Sequence, residues 1–226
     1  MSEPVVAPNV HTIQLQRVRA HAIVEDDGLT LIDAGYASSL PRLTRALAGL
    51  GRSVDDVRRV ICTHGHPDHA GGARALADLG VEVLIHPADA ANLELTIGAV
   101  IRQPSKGRLF AAMTPPLPVY TPLTDGEVLP VLHGLTVIHT PGHTPGSVCL
   151  FAPRSGLLFV GDVLQRRFGR LSAASVLYSD DPATARASLQ RLADLDVKTV
   201  VFSHYAPLID DPKRALAALA GTATKR

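Results

Sequence analysis

Thr63-His64-Gly65-His66-Pro67-Asp68-His69 places four potential metal ligands within six consecutive residues. The stretch leading into it, Val57 to Thr63, is rich in branched side chains and reads as a buried strand. In extended backbone, side chains two apart point the same way, so His64 and His66 can grip one cation. Pro67 stops the strand. Asp68 and His69 then open a turn that points elsewhere, which suits a second cation beside the first. Ala70 to Leu79 is helical in pattern and ends at Gly80, so the ligand cluster is expected where a strand hands over to a helix.

Working outward, the upstream third reads as an antiparallel meander. Strands are expected over Val10 to Gln16, His21 to Glu25 and Leu29 to Asp33, with Asp26-Asp27-Gly28 as a turn. Leu40, Leu43, Leu47 and Leu50 recur at helical spacing, stopped by Gly51. Downstream, Val81 to His86 reads as a strand and Pro87 opens a helix through about Ile97. Residues 98–124 hold five prolines and little periodicity, as expected of a lid or substrate loop. Strand signals return at Val128 to Leu132, Leu135 to Thr140, Ser147 to Phe151 and Leu157 to Val160. A helix over Pro182 to Leu195, a strand over Thr199 to Phe202 and a short helix containing Ala215 to Leu219 follow. Two β-rich blocks, each followed by helix, predict an α/β domain of mixed sheets covered by helices, with residues 1–226 as one domain.

The seven-residue motif resembles that of the metallo-β-lactamase-fold hydrolases, whose His-x-His-x-Asp-His signature stands complete at His64 to His69. Further elements of that family follow in order: Asp33 in Leu31-Ile32-Asp33-Ala34-Gly35, His143 in Thr140-Pro141-Gly142-His143-Thr144-Pro145-Gly146-Ser147, Asp162 in Gly161-Asp162, and His204 after Thr199 to Ser203. The resemblance implies a four-layer αββα sandwich of two mixed sheets flanked by helices. It also implies that His64, His66 and His143 hold one ion, Asp68, His69 and His204 a second, and that Asp162 bridges them. One departure is Ser203-His204-Tyr205, where many relatives follow the histidine with glycine. Asp33 reads as a residue that orients a ligand by hydrogen bonding rather than one that ligates. Within the family, the sequence is most similar to the small glyoxalase II-like and lactonase-like members. With about twenty residues after His204 and a short span between Asp162 and His204, neither the glutathione-binding helical domain of glyoxalase II nor the insert of the nucleic-acid-processing members is expected.

Imidazole and carboxylate ligands without thiolate suit zinc first, then manganese or iron. Two adjacent cations would bring a shared water towards neutral pKa, giving a hydroxide to attack an ester, thioester, lactone or amide carbonyl, with Asp68 and Asp162 able to accept or relay a proton. Arg166, Arg167 and Arg170 lie just beyond Asp162 and could pair with a substrate carboxylate or phosphate, and Tyr178 and Tyr205 are candidates for the pocket edge. Two other functions compete: a mononuclear iron dioxygenase acting on a persulfide, and a non-catalytic metal-binding protein. With 22 basic against 21 acidic residues and a formal charge of +1, the chain offers no basic patch for nucleic acid or membrane surfaces. The start of the chain lacks a secretory pattern and no apolar run is long enough to span a bilayer, so a cytoplasmic location is expected. Cys62 and Cys149 each sit in an apolar run and read as buried free thiols. A hydrophobic content of 46% leaves room for a homodimer through an apolar face or through residues 98–124.

Overall fold

Apolar residues run almost unbroken through several strands because both faces of each are covered. The computed structural model, which describes residues 6–93, 109–110, 112–167 and 169–223, pairs them into two stacked mixed sheets. The first sheet runs in chain order: β1 (Val10–Leu15), β2 (Val18–Glu25), β3 (Gly28–Ile32), β4 (Val57–Ile61), β5 (Glu82–Ile85) and β6 (Thr121–Pro122). Its first three strands form the expected meander, and β3 to β6 continue in parallel. The second sheet uses β7 (Val128–Leu129), β8 (Leu135–His139), β9 (Val148–Ala152) and β10 (Leu157–Phe159). After a separate hairpin of β11 (Leu164–Arg167) and β12 (Arg170–Ala173), β13 (Thr199–Val201) joins it parallel to β10, in the order β13-β10-β9-β8-β7.

Alternation along the strands divides the core into three layers. Leu31, Val60 and Ile85 face outward onto α1 (Leu40–Gly49), α2 (Ala73–Ala77) and α3 (Pro87–Leu93) through Leu43, Leu47, Leu76 and Leu93. Their neighbours Ile23, Ile32, Ile61 and Leu84 face inward and meet Val137, Leu150, Phe159 and Val201 of the other sheet. On the far side, Cys149, Phe151, Leu158 and Val200 pack with Leu189, Leu192 and Leu216. The helices there are α4 (Pro182–Ser188), continued by a 3-10 turn over Leu189–Leu192, and α5 (Pro212–Ala223). This is an αββα sandwich, and both free cysteines are buried inside it.

Several boundaries differ from the sequence expectation. The helix expected over Ala70 to Leu79 shrinks to α2, because Gly71 and Gly72 lie so close to the backbone of residues 34–37 that the chain there is spent on turns and loop contacts. The strand expected over Val128 to Leu132 stops at Leu129, since Leu132 and His133 take positive φ (51° and 60°) and turn the chain. The helix over Pro182 to Leu195 changes to 3-10 geometry at Leu189. Arg166, Arg167 and Arg170, for which no strand is expected, lie in a β-hairpin. Of the proline-rich stretch, residues 98–108 and 111 lie outside the described residues, as do 94–97 of the helix expected after Pro87. The far end of that stretch supplies β6 at the edge of the first sheet. Among the described residues no helix is long and apolar enough to cross a membrane.

Candidate metal centre

The parallel pairings point β3, β4 and β5 the same way, and β8, β10 and β13 likewise run together. The loops that carry the predicted site residues leave the carboxyl ends of these strands: Asp33 after β3, His64 to His69 after β4, His143 after β8, Asp162 after β10 and His204 after β13. A hydrogen bond from Val148 N to Thr63 O (2.9 Å) ties the two sheets together at this edge.

The structure brings all seven predicted ligands into one cluster. Three groups each have ligand atoms within 4.8 Å of one another: His64-His66-His143, His64-His69-Asp162 and Asp68-His69-His204. His64 Nε2 lies 3.2 Å from His66 Nδ1, and His69 Nε2 lies 3.3 Å from His204 Nε2. Asp162 stands between the groups, with Oδ1 3.3 Å from His204 Nε2 and 3.6 Å from His69 Nε2, and Oδ2 3.7 Å from His143 Nε2. Asp68 Oδ2 is 3.3 Å from His204 Nε2 and 3.6 Å from His69 Nε2.

Hydrogen bonds on the far side of four of the five rings, all but His66, explain why these nitrogens face inward. His69 Nδ1 donates to Asp33 Oδ2 at 2.7 Å and His204 Nδ1 donates to Arg17 O at 3.0 Å. The Thr63 hydroxyl is itself a donor to Asp33, so its oxygen accepts from His64 Nδ1 (3.1 Å). The Ser179 hydroxyl donates to Ser175 O and accepts from His143 Nδ1 (3.4 Å). With Nδ1 occupied as a donor, each of these four rings has only Nε2 left to offer a cation, the arrangement in which an outer partner sets the tautomer of a ligand. His143 Nε2 is buried and has no hydrogen-bond partner, as a ligating nitrogen would be without its ion. The donor set, four imidazole Nε2 atoms, one Nδ1 and two carboxylates, fits a pair of divalent cations.

The electrostatics agree. Burial, reinforced by neighbouring histidines, holds His64 well below the ordinary imidazole range and takes His66 and His143 down to about 4, against the pull of Asp162. These three are neutral at pH 7, as ligation requires. His69 and His204 go the other way. Burial opposes their charge, but Asp68, Asp33 and Asp162 raise His69 to about 9, and hydrogen bonds to Asp162 and Asp68 raise His204 to about 11. Asp162 is correspondingly held far below the usual carboxylate range, its burial outweighed first by the His69 charge. The metal-free cluster therefore keeps two protons where cations would sit.

Other predicted residues are placed less uniformly. Asp33, at φ 63°, also accepts from Thr63 N (2.8 Å), the Thr63 hydroxyl and the Ser203 hydroxyl (3.3 Å), which locks the carboxylate behind His69. Tyr178 meets Phe110 edge-on at 5.6 Å, and Phe110 meets His66 at 6.1 Å, so both rings flank the site. Tyr205 instead packs on Phe202 in the outer core layer. Arg166 Nη1 donates to Pro207 O (3.3 Å), while Arg167 and Arg170 pair across the exposed end of the β11-β12 hairpin.

Sequence reasoning missed Asp89, which is fully buried near the start of α3. Its carboxylate accepts from Gly65 N (2.7 Å), Gly146 N (2.6 Å) and Thr144 Oγ1 (2.7 Å), clamping the loop of His64 and His66 to the loop of His143. Burial lifts its pKa to about 6 against those hydrogen bonds, so it is ionised at pH 7 and can accept all three. An acid in a first helical turn ordinarily reads as a partner for the helix dipole. Nothing in the sequence ties it to Gly65 or Gly146, and only the fold shows that a Cβ at Gly146 would strike the Asp89 side chain at 2.7 Å.

A family model described as the metallo-beta-lactamase superfamily matches residues 16–204. The chain is 32% identical over 202 residues to a hydroxyacylglutathione hydrolase of Aeromonas hydrophila, covering 88% of this chain and 62% of that one. It is 36% identical over 151 residues to an acyl-coenzyme A thioesterase of Gallus gallus, covering 59% and 53%. The chain thus spans less than two thirds of the length of either relative. Among solved structures, it is similar to a metallo-beta-lactamase family protein of Thermus thermophilus, with a TM-score of 0.78 at 25% identity over 98% of this chain and 81% of that one.

Proposed function

The chain belongs to the metallo-beta-lactamase superfamily, and on that premise we propose that it is a hydrolase holding two divalent cations and cleaving an acyl ester or thioester. His64, His66 and His143 would hold one ion and Asp68, His69 and His204 the other, with Asp162 shared. The observation that carries this reading is the position of Asp162, whose two oxygens face different histidine groups at 3.3 to 3.7 Å.

A pair of divalent cations supplies a water of near-neutral pKa and a Lewis acid for the carbonyl oxygen. The protein contributes orientation and proton handling. His64, His69 and His143 are at most 2% exposed and close the back of the cleft to solvent. The Asp68 and Asp162 side chains keep about a fifth of their surface open, 20% and 19%. They are therefore the groups placed to take a proton from the attacking water and return it to the leaving group. A relative named a thioesterase and one named for hydrolysis of an acylglutathione support placing thioesters first.

The test is metal content per chain after purification without chelator or nickel resin, followed by turnover of thioesters, esters, lactones and β-lactams. About two zinc or manganese ions with chelator-sensitive hydrolysis is the expected result. About one iron with oxygen consumption would replace this reading with the dioxygenase. A metal-free, inert chain would replace it with a non-catalytic protein.

A further inference from the structure

Beside the metal cluster lies a cavity of about 330 Å³ walled by Tyr36, Ala37, Pro67, Phe110, Met113 and Pro115. It adjoins the ligand cluster through Pro67 and Phe110. Pro67 separates His66 from Asp68 in the chain, and Phe110 lies edge-on to the His66 ring. The Tyr36 phenol sits close enough that, after burial, the charges of Asp68 and Asp162 raise its pKa. Gly71 completes the wall, and a Cβ there would collide with the Pro67 carbonyl. Ser38 lines it as well, and none of the described lining residues is charged.

The apolar character continues outside. Met113 is 67% exposed and Leu109 58%, while Val176 and Leu177, in the loop next to Tyr178, are 66% and 52% exposed. Tyr178 is joined to this rim through its contact with Phe110. Large apolar side chains left in water around a catalytic cleft lower the cost of admitting an apolar ligand. A charged substrate group would lose its hydration against such walls with no countercharge among the described lining residues in return.

We propose that this cavity binds the apolar acyl chain of the substrate, making the chain selective for medium-length acyl thioesters or esters. The proposal rests on the hydrolase reading above. In the reaction, water adds to the acyl carbon and the C–S or C–O bond breaks. The leaving thiol or alcohol takes one proton of the water, and the acid departs as its carboxylate, releasing the other proton to solvent.

The test is kcat/KM of the metal-loaded full chain on thioesters of one leaving group, from acetyl through butyryl and hexanoyl to octanoyl. Alongside it, calorimetry measures the binding of free acetate and octanoate. The rate constant should rise about fourfold per methylene until the cavity fills, equivalent to ~0.8 kcal/mol at ~1.36 kcal/mol per tenfold. Met113→Ala, at an exposed position that leaves folding alone, and Ala37→Phe, which fills the space, should each lower the octanoyl-to-acetyl ratio about tenfold or more. A flat or falling series, or a ratio that neither variant moves, overturns the proposal. If no acyl compound is turned over, the hydrolase reading falls and the carboxylate titrations decide the cavity alone. Tighter octanoate binding that Ala37→Phe abolishes upholds it, and equal binding of octanoate and acetate overturns it.

Discussion

Asp33 shows how a residue that need not touch a cation can control one. Its two oxygens accept from Thr63, His69 and Ser203, and its positive φ is a conformation that asparagine also tolerates. Asp33→Asn therefore changes the chemistry with little backbone strain. The amide keeps one acceptor oxygen, and its NH2 cannot accept the His69 proton. Metal affinity should fall about 10- to 100-fold while the fold persists, as read by calorimetric titration beside circular dichroism. Protonation at the same scale yields a second expectation. His69 and His204 are charged at pH 7 in the metal-free cluster, with values of about 9 and 11, whereas His66 and His143, at about 4, are neutral. A histidine must be deprotonated at its inward nitrogen to ligate, so loading at pH 7 should release about two protons per chain from these rings, besides what a cation-bound water gives up. The release should shrink as pH rises through 9 towards 11, because the protons have then left already. Calorimetry in buffers of different ionisation enthalpy measures the count.

At the scale of elements, the site is a set of strand ends held in register by loops that touch each other. Asp89 joins two of them from a helix that supplies no ligand. Asp89→Asn turns at least one of its three acceptor contacts into a donor facing a donor, which costs about 1–3 kcal/mol for each group left unsatisfied. The expected outcome is a lower denaturation midpoint with a disproportionate loss of metal affinity, because the His64-His66 loop and the His143 loop lose their common anchor. Equal metal affinity in the variant, after correction for the unfolded fraction, would show that the two loops hold themselves. The glycine at 142 makes a related point. At φ 125° it lets the loop lie against the Ala185 backbone at the start of α4, where an added Cβ would collide.

For the whole molecule, the middle core layer both joins the sheets and sets the floor of the site. Phe159 is 1% exposed, belongs to that layer and ends the strand that leads to Asp162. Phe159→Ala should cost about 3–5 kcal/mol, seen as a lower urea midpoint with an unchanged slope. The same architecture explains what could be read in advance. The six-residue ligand motif, the strand before it and the meander upstream are local patterns of spacing and alternation, and they came through with small shifts in boundary. The β11-β12 hairpin was missed because Arg166, Arg167 and Arg170 mask an apolar alternation too weak to register. The shortening of β7 turned on two positive-φ residues, Leu132 and His133, that are not glycine.

The chain alone determined which residues have the chemistry to bind metal and in what order they occur, because ligand type and spacing are properties of the covalent sequence. Which nitrogen each histidine turns inward, the clamp at Asp89 and the apolar cavity beside Pro67 were decided only in the tertiary structure. Each depends on partners far apart in the chain, as Asp89 is 24 residues from Gly65 and 57 from Gly146. Such contacts leave no periodic trace in the sequence, since only folding of the two sheets together brings them within hydrogen-bonding distance.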